Sequence, residues 1–355
     1  MPELWNRYGP TAARKHQKPG RTARPRSTTI DIHSHVAIPP AAALVKPHLD
    51  SASMPLTHFA DASTKALNQK QDEDIRSRIT THDERLADMD DMGIDMQLIL
   101  PAPNQCTYTV PVEIGVKAAR MINEGLAEYV SKRPDRFVAL GTVPLNDATE
   151  AAKELERAMA TLGMKGAEIL TNVAGRELSD PKFSAFWKKA EELGALVVIH
   201  PNGFTEGRRL SRFYFNNVIG NPLDTAIALH YLIFDGVLER HPNLKILAVH
   251  GGGYLPAYSG RIDHAWGARS DARADLPHPP TSYLRKIYVD TVVFTPHQLA
   301  ELVRLVGADH VLMGTDYPFD MAEFDPIGHL ASLDGVDALV FAAIAGGNAR
   351  RLLGL

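Results

Sequence analysis

From residue 28 onward, short runs of apolar and β-branched residues alternate with longer stretches whose apolar positions recur at helical spacing. That alternation predicts a parallel sheet with crossover helices, because parallel neighbours need a long connection between them. Eight runs read as strands: Thr28–His33, Met96–Leu100, Phe137–Thr142, Ala167–Leu170, Leu196–His200, Lys245–His250, Ile287–Asp290 and Val311–Gly314. Leu196-Val197-Val198-Ile199 contains no polar residue, as expected of a strand covered on both faces. Between the runs, Thr149–Leu162 interleaves apolar residues with Glu, Lys and Arg. Asp180 before Pro181 reads as a helix start and Gly194 as a stop. Asn221-Pro222 opens a helix to about Arg240, and Val336–Leu353 closes the chain. Eight strand–helix units are the count of a (β/α)8 TIM-like barrel, and 355 residues suit one such barrel with an insertion.

Residues 36–80 break the alternation. Rich in Pro, Ala, Ser and Asp, they leave the C-terminal end of the first strand, where barrel enzymes build their sites. A stretch of that length between two elements is functional or carries its own structure. It reads as a lid or substrate-selecting insertion, the plainer alternative being a disordered surface loop.

Composition narrows the function. With 45% hydrophobic residues the chain can bury a large core, and a net charge of −4 calls for neither nucleic acid nor an anionic membrane as partner. No apolar run reaches the roughly 18–20 residues of a membrane-spanning helix. Cys106 is the single cysteine, so an internal disulfide and a Cys-rich zinc module are both excluded, in keeping with a cytoplasmic protein. Residues 1–27 stand apart: Arg7, Arg14, Lys15, Lys18, Arg21, Arg24 and Arg26 face one acid, Glu3. This segment reads as a basic N-terminal arm ahead of a barrel domain over 28–355; it lacks the apolar stretch of a secretory signal.

The chemistry sits at the strand ends. The first strand reads Ile30-Asp31-Ile32-His33-Ser34-His35, and alternation puts His33 and His35 on one side, with Asp31 of the same parity placed to orient them or plug the layer below. His200 follows the fifth strand, His250 the sixth and Asp316 the eighth, each directly after an apolar run. A lone His-x-His or Gly-Thr-Asp is weak evidence. Four histidines and an aspartate in this strand order point to a metal site. Three His and one carboxylate, His33, His35, His200 and Asp316, suit one divalent ion with an open position, Zn2+ first and Mn2+ second. His250 is left as a second-metal ligand or a general base. Lys165 precedes the fourth strand rather than ending it, so no bridging lysine is offered there, and one metal with His250 as base is the favoured reading.

These residues resemble the amidohydrolase-2 family, and most of all its aminocarboxymuconate-semialdehyde decarboxylase branch. The resemblance is carried by Ile30–His35, His200-Pro201, His250-Gly251-Gly252-Gly253 with Gly260-Arg261, Gly314-Thr315-Asp316-Tyr317-Pro318-Phe319 and Gly347-Asn348-Ala349, and runs from about residue 28 to the C-terminus. It implies a distorted TIM barrel and non-oxidative loss of CO2 from a small unsaturated or aromatic carboxylic acid, of the aminocarboxymuconate-semialdehyde or hydroxy- or aminobenzoate type. It further implies that His33, His35, His200 and Asp316 are the zinc ligands and that His250 deprotonates a metal-bound water. Arg261 would be contributed across a homodimer interface to the substrate carboxylate. The sequence departs from the pattern where a second carboxylate-binding arginine is expected: Arg76, Arg78 and Arg85 lie nearby without a clear match, and Arg208, Arg209 and Arg212 offer a replacement, with Arg209 chosen.

Plainer readings stand beside several of these. Arg261 lies in a helical segment where a solvated arginine is ordinary. Asp290 suits a ligand-orienting role, a helix cap or a buried hydrogen-bond partner equally. Phe294 and Tyr317 read as aromatic pocket walls, His230 as a core or interface residue, and Cys106 as a packing residue without a base beside it. Two further functions compete with the decarboxylase: a metal-dependent hydrolase of a lactone, ester or amide, and a non-catalytic barrel. The complete histidine and aspartate set argues against the last.

Overall fold

The apolar runs become the staves of a closed parallel barrel. The computed structural model describes residues 23–333 and 335–355. The expected basic arm therefore lies mostly outside the described residues; at its end, Arg24 pairs with Asp95 at 2.8 Å. The strands are β1 (Ile30–Val36), β2 (Met96–Pro101), β3 (Phe137–Ala139), β4 (Gly141–Thr142), β5 (Gly166–Leu170), β8 (Leu196–His200), β9 (Lys245–Ala248), β10 (Ile287–Asp290) and β11 (Val311–Leu312), with a small hairpin, β6 (Asn172–Val173) and β7 (Arg176–Glu177), after β5. They pair in the orders β1-β2-β3 and β11-β10-β9-β8-β5-β4, all parallel. β3 and β4 form one stave interrupted at Leu140, whose N–H donates to Ile99 O at 3.1 Å. The ring closes between β1 and the end of β11, where Ile32 N–H donates to Met313 O and His35 N–H to Tyr317 O, both at 2.8 Å. Eight staves result, as the alternation predicts.

Two apolar layers separate by strand parity. Ile30, Ile32, Leu98, Leu100, Leu196, Val198, Leu247 and Leu312 pack with one another and with Leu352 and Leu353 of the C-terminal helix, filling the barrel interior. The alternate residues, among them Ile99, Val197, Ile246 and Val289, pack outward on the helices through Ile122, Leu155, Trp187, Leu229 and Leu299. Helix ends follow local chemistry: Asp147 caps Ala148–Leu162 by accepting from Thr149 and Glu150 N–H, and Gly163 ends it in the left-handed conformation.

Three expectations change in detail. β1 runs past His33 to Val36, and β9 stops at Ala248 because His250 takes φ 54. The register of β1 shifts between Asp31 and Ser34. Ile30 and Ile32 face the interior, so Asp31 between them takes the opposite face, and the irregularity returns His33 to the inside. Asp31 thus does not share a face with His33. Residues 36–80 carry structure of their own, in place of the disordered-loop alternative: they form short helices, including Pro39–Val45, Pro55–His58, Ala62–Asp74 and Arg76–Thr80.

Candidate metal centre

At the C-terminal mouth of the barrel, four imidazoles close around one carboxylate. His33 Nε2 and His35 Nε2 lie 3.3 and 3.2 Å from Asp316 Oδ1, and His200 Nε2 lies 4.0 Å from the same oxygen. His250 Nε2 approaches the other oxygen, Oδ2, at 3.3 Å. Donor atoms of His33, His200, His250 and Asp316 all fall within 4.8 Å of one another. His35 joins them through His33, their Nε2 atoms standing 3.1 Å apart.

The outer nitrogens explain why the inner ones converge. His33 Nδ1 is 2.7 Å from Asp290 Oδ2, His35 Nδ1 is 3.0 Å from Pro101 O and His200 Nδ1 is 2.7 Å from Pro201 O. Each acceptor holds the ring proton on Nδ1, leaving the Nε2 lone pair turned inward. Two lone pairs 3.1 Å apart repel unless a cation lies between them, and His200 Nε2 and Asp316 Oδ1 are buried without a hydrogen-bond partner. Buried polar atoms normally find partners. The donor set of imidazole nitrogens and a carboxylate therefore fits a single divalent metal.

Electrostatics agree. Burial pushes the Asp316 carboxyl up, but the charge favoured on His33 and the close imidazoles of His200, His250 and His35 outweigh it and hold the group well below its usual range. Burial disfavours charge on His200, whose pKa falls to about 3, assisted by its neighbouring imidazoles. His35 is lowered too, first by burial. At His33 burial also opposes charge, yet Asp316 and Asp290 win and raise it to about 9. One positive charge at the centre of the cluster is thus favoured, and a metal ion must displace that proton.

Local backbone places these groups. Both His250 (φ 54) and Asp316 (φ 63) adopt left-handed conformations that non-glycine residues seldom take. Asp290 holds the first: His250 N–H donates to Oδ2 at 3.0 Å and Gly251 N–H to Oδ1 at 2.8 Å. At Gly253 (φ 64) a Cβ would stand 2.3 Å from Pro222 O, which accounts for a glycine there. Asp31 steadies the approach to Asp316, accepting from Thr315 N–H at 3.0 Å and Thr315 Oγ1–H at 2.6 Å.

A cavity opens above His200, His250 and Asp316. Met54, Leu56, Asn68 and Gln71 of the 36–80 segment roof it, and Asp320 N–H donates to Gln71 Oε1 at 2.7 Å, tying that roof to the loop after β11. Arg209 and Arg261 are exposed and, like Phe294, are not among the residues lining this cavity in the single chain. Tyr317 is fully buried rather than a pocket wall. Arg85 is likewise buried: it donates to His35 O, to Arg78 O at 2.9 Å and to Gln97 Oε1 at 3.1 Å, with its guanidinium 4.7 Å from the Tyr317 ring centre.

Sequence reasoning passed over Glu168. It alternates with the outward-facing Ala167 and Ile169, so it points inward, where burial pushes its carboxyl well above the usual range. Its one signal is an acid within the apolar run Gly166–Leu170. Glu168 Oε2 lies 3.8 Å from Nδ1 of His35, on the protonated side of that ring and away from the convergent Nε2 atoms. A bridging ligand for a second ion is not formed there.

Comparison with known proteins agrees with this architecture. The amidohydrolase family model matches residues 30–355. The 2-amino-3-carboxymuconate-6-semialdehyde decarboxylase of Dictyostelium discoideum is 32% identical, over 93% of this chain and 92% of its own. A gamma-resorcylate decarboxylase from a Rhizobium species is 31% identical, covering 67% of this chain and 77% of its own. Among solved structures, 5-carboxyvanillate decarboxylase from Sphingomonas paucimobilis superimposes with a TM-score of 0.81 at 26% identity, covering 92% of this chain and 99% of that one. The chain belongs to the amidohydrolase family, in its carboxy-lyase branch.

Proposed function

We propose that this protein decarboxylates a small unsaturated or aromatic carboxylic acid carrying a neighbouring hydroxyl or amino group. The observation that carries the reading is the convergence of three Nε2 lone pairs, fixed by Asp290, Pro101 O and Pro201 O, on Asp316 Oδ1. His33, His35, His200 and Asp316 would hold one divalent ion, Zn2+ by its preference for imidazole and Mn2+ as the alternative. When bound, the ion supplies Lewis acidity, polarising substrate oxygens and acidifying water.

His250 is the proposed proton carrier. It meets Asp316 at Oδ2, whereas His33, His35 and His200 face Oδ1, and it lines the cavity. Its ring can take a proton at Nε2 beside Asp316, and return one to the carbon that parts with CO2, so that a C–C bond is exchanged for a C–H bond. The buried floor, with His33 and His35 wholly covered, keeps bulk water from competing for that carbon. Arg261 sits exposed on the helix Gly260–Ala268, near exposed Tyr254 and Tyr258, where a second copy of the chain would take it as a carboxylate partner in a homodimer. The reduced, buried Cys106 suits a cytoplasmic setting.

The test is CO2 release by metal-loaded protein from carboxymuconate semialdehydes and from ortho-hydroxy- and ortho-aminobenzoates, with a chelated control. Metal-dependent release is expected. No release from any of them, with metal bound, would overturn the reading and favour hydrolysis of lactones or esters by the same centre.

A further inference from the structure

Above the metal cluster the cavity walls are neutral or acidic. Asn104 and Asn202 reach it from the segments directly after β2 and β8, Asn217 and Asn221 from the helices Phe215–Val218 and Gly220–Phe234, and Gln71 from the roof. Asp72 and Asp320 line it as well, on two segments tied together where Gln71 Oε1 accepts from the Asp320 N–H at 2.7 Å. Among the described residues, no lysine or arginine lines this cavity. An adjoining cavity, which shares Met54, Asn104 and Asn202 with it, has Asp50 as its one charged lining residue among those described.

Carboxamides and carboxylates accept hydrogen bonds from hydroxyl and amino substituents, but they offer no charge to a second carboxylate. Two carboxylates at the cavity mouth repel such a group. At a separation of about 7 Å and an intermediate dielectric, two like-charge pairs together weaken binding about tenfold or more. We propose that the site takes an aromatic acid with one carboxylate and neutral hydrogen-bonding substituents, and that Asp72 and Asp320 discriminate against a second carboxylate. The identity of the reaction rests on the decarboxylase reading; the charge preference rests on the walls alone. A single Arg261 from a second copy would match a single carboxylate.

The experiment measures binding by calorimetry to metal-loaded protein. The probes are 5-carbamoyl-2-hydroxybenzoate and 5-carboxy-2-hydroxybenzoate, which are nearly isosteric and differ by one charge. The carbamoyl compound is expected to bind at least about tenfold more tightly. Asp72→Asn with Asp320→Asn, both exposed positions, should narrow the ratio to about threefold or less, and so should about 0.5 M salt, which screens exposed charges. Equal or tighter binding of the dicarboxylate by the unmodified protein overturns the proposal. So does a ratio unchanged in the double variant. If the ratio behaves as expected but no acid of the panel named above releases CO2 with metal bound, the charge preference stands and the decarboxylase reading falls.

Discussion

Replacing Asp290 with asparagine keeps the side chain's size and removes one of two acceptor oxygens. Oδ2 accepts from His33 Nδ1–H at 2.7 Å and His250 N–H at 3.0 Å; Oδ1 accepts from Gly251 N–H at 2.8 Å and Val292 N–H at 3.1 Å. A carboxamide must turn its NH2 toward one pair, so two hydrogen bonds become donor–donor contacts in a fully buried site. Each unmet donor costs about 1–3 kcal/mol. With the NH2 on the Oδ2 side, His33 relocates its proton to Nε2, the atom that must be free for metal. With the NH2 on the Oδ1 side, Gly251 loses its anchor and the left-handed His250 shifts. The expected result is metal affinity lowered about 10- to 100-fold, the range for partners that orient metal-binding histidines, or about 1.4–2.8 kcal/mol. Competition with a chromogenic chelator measures it, with thermal unfolding alongside. Affinity within threefold of the unmodified protein, at unchanged thermal midpoint, would falsify the anchoring role of Asp290.

Four further expectations follow from the same geometry. His250→Ala should keep its metal and lose turnover by about 10²- to 10⁴-fold; full activity by direct CO2 assay would send the search to another base. Arg261→Ala should lower activity with metal content unchanged, and metal loss on elemental analysis would contradict a substrate-facing role. Arg85→Ala leaves the carbonyls of His35 and Arg78 and the Gln97 amide without their buried donor. A loss of about 3–5 kcal/mol in urea unfolding is expected, and a loss under 1 kcal/mol would show the network to be dispensable. Asp224 is raised from 3.8 to about 6 by burial, despite hydrogen bonds from Thr171 and Asn172. Its ionisation is therefore penalised in the folded state, and its contribution to stability is present below about pH 4 and lost as pH rises through about 6, by up to about 3 kcal/mol. In Asp224→Asn that step should vanish, so the variant's stability relative to the unmodified protein should rise across this window; a flat difference would refute the assignment.

What could be read along the chain was whatever depends on near neighbours. Apolar runs such as Leu196–Ile199 mark strands because burial on both faces leaves no polar position, and the His, His and Asp that follow such runs land at the barrel mouth because the topology puts every strand's C-terminal end there. Glycines after His250 announce a tight backbone, since only glycine tolerates the approach to Pro222 at residue 253. Other features needed the folded chain. Asp290 meets His33 across 257 positions of sequence, so no local pattern distinguishes an orienting carboxylate from a helix cap; here it serves His33 and the His250 backbone together. The shift in β1 that sends Asp31 outward and His33 inward is set by pairing with β2 and closure on β11, which outweigh simple alternation. Arg85, one of three arginines near the expected substrate position, is drawn into the scaffold by carbonyls and the Tyr317 ring that converge only after folding. The acidic and carboxamide walls of the cavity come from segments far apart in sequence, and their joint charge exists only where the tertiary structure sets them against one another.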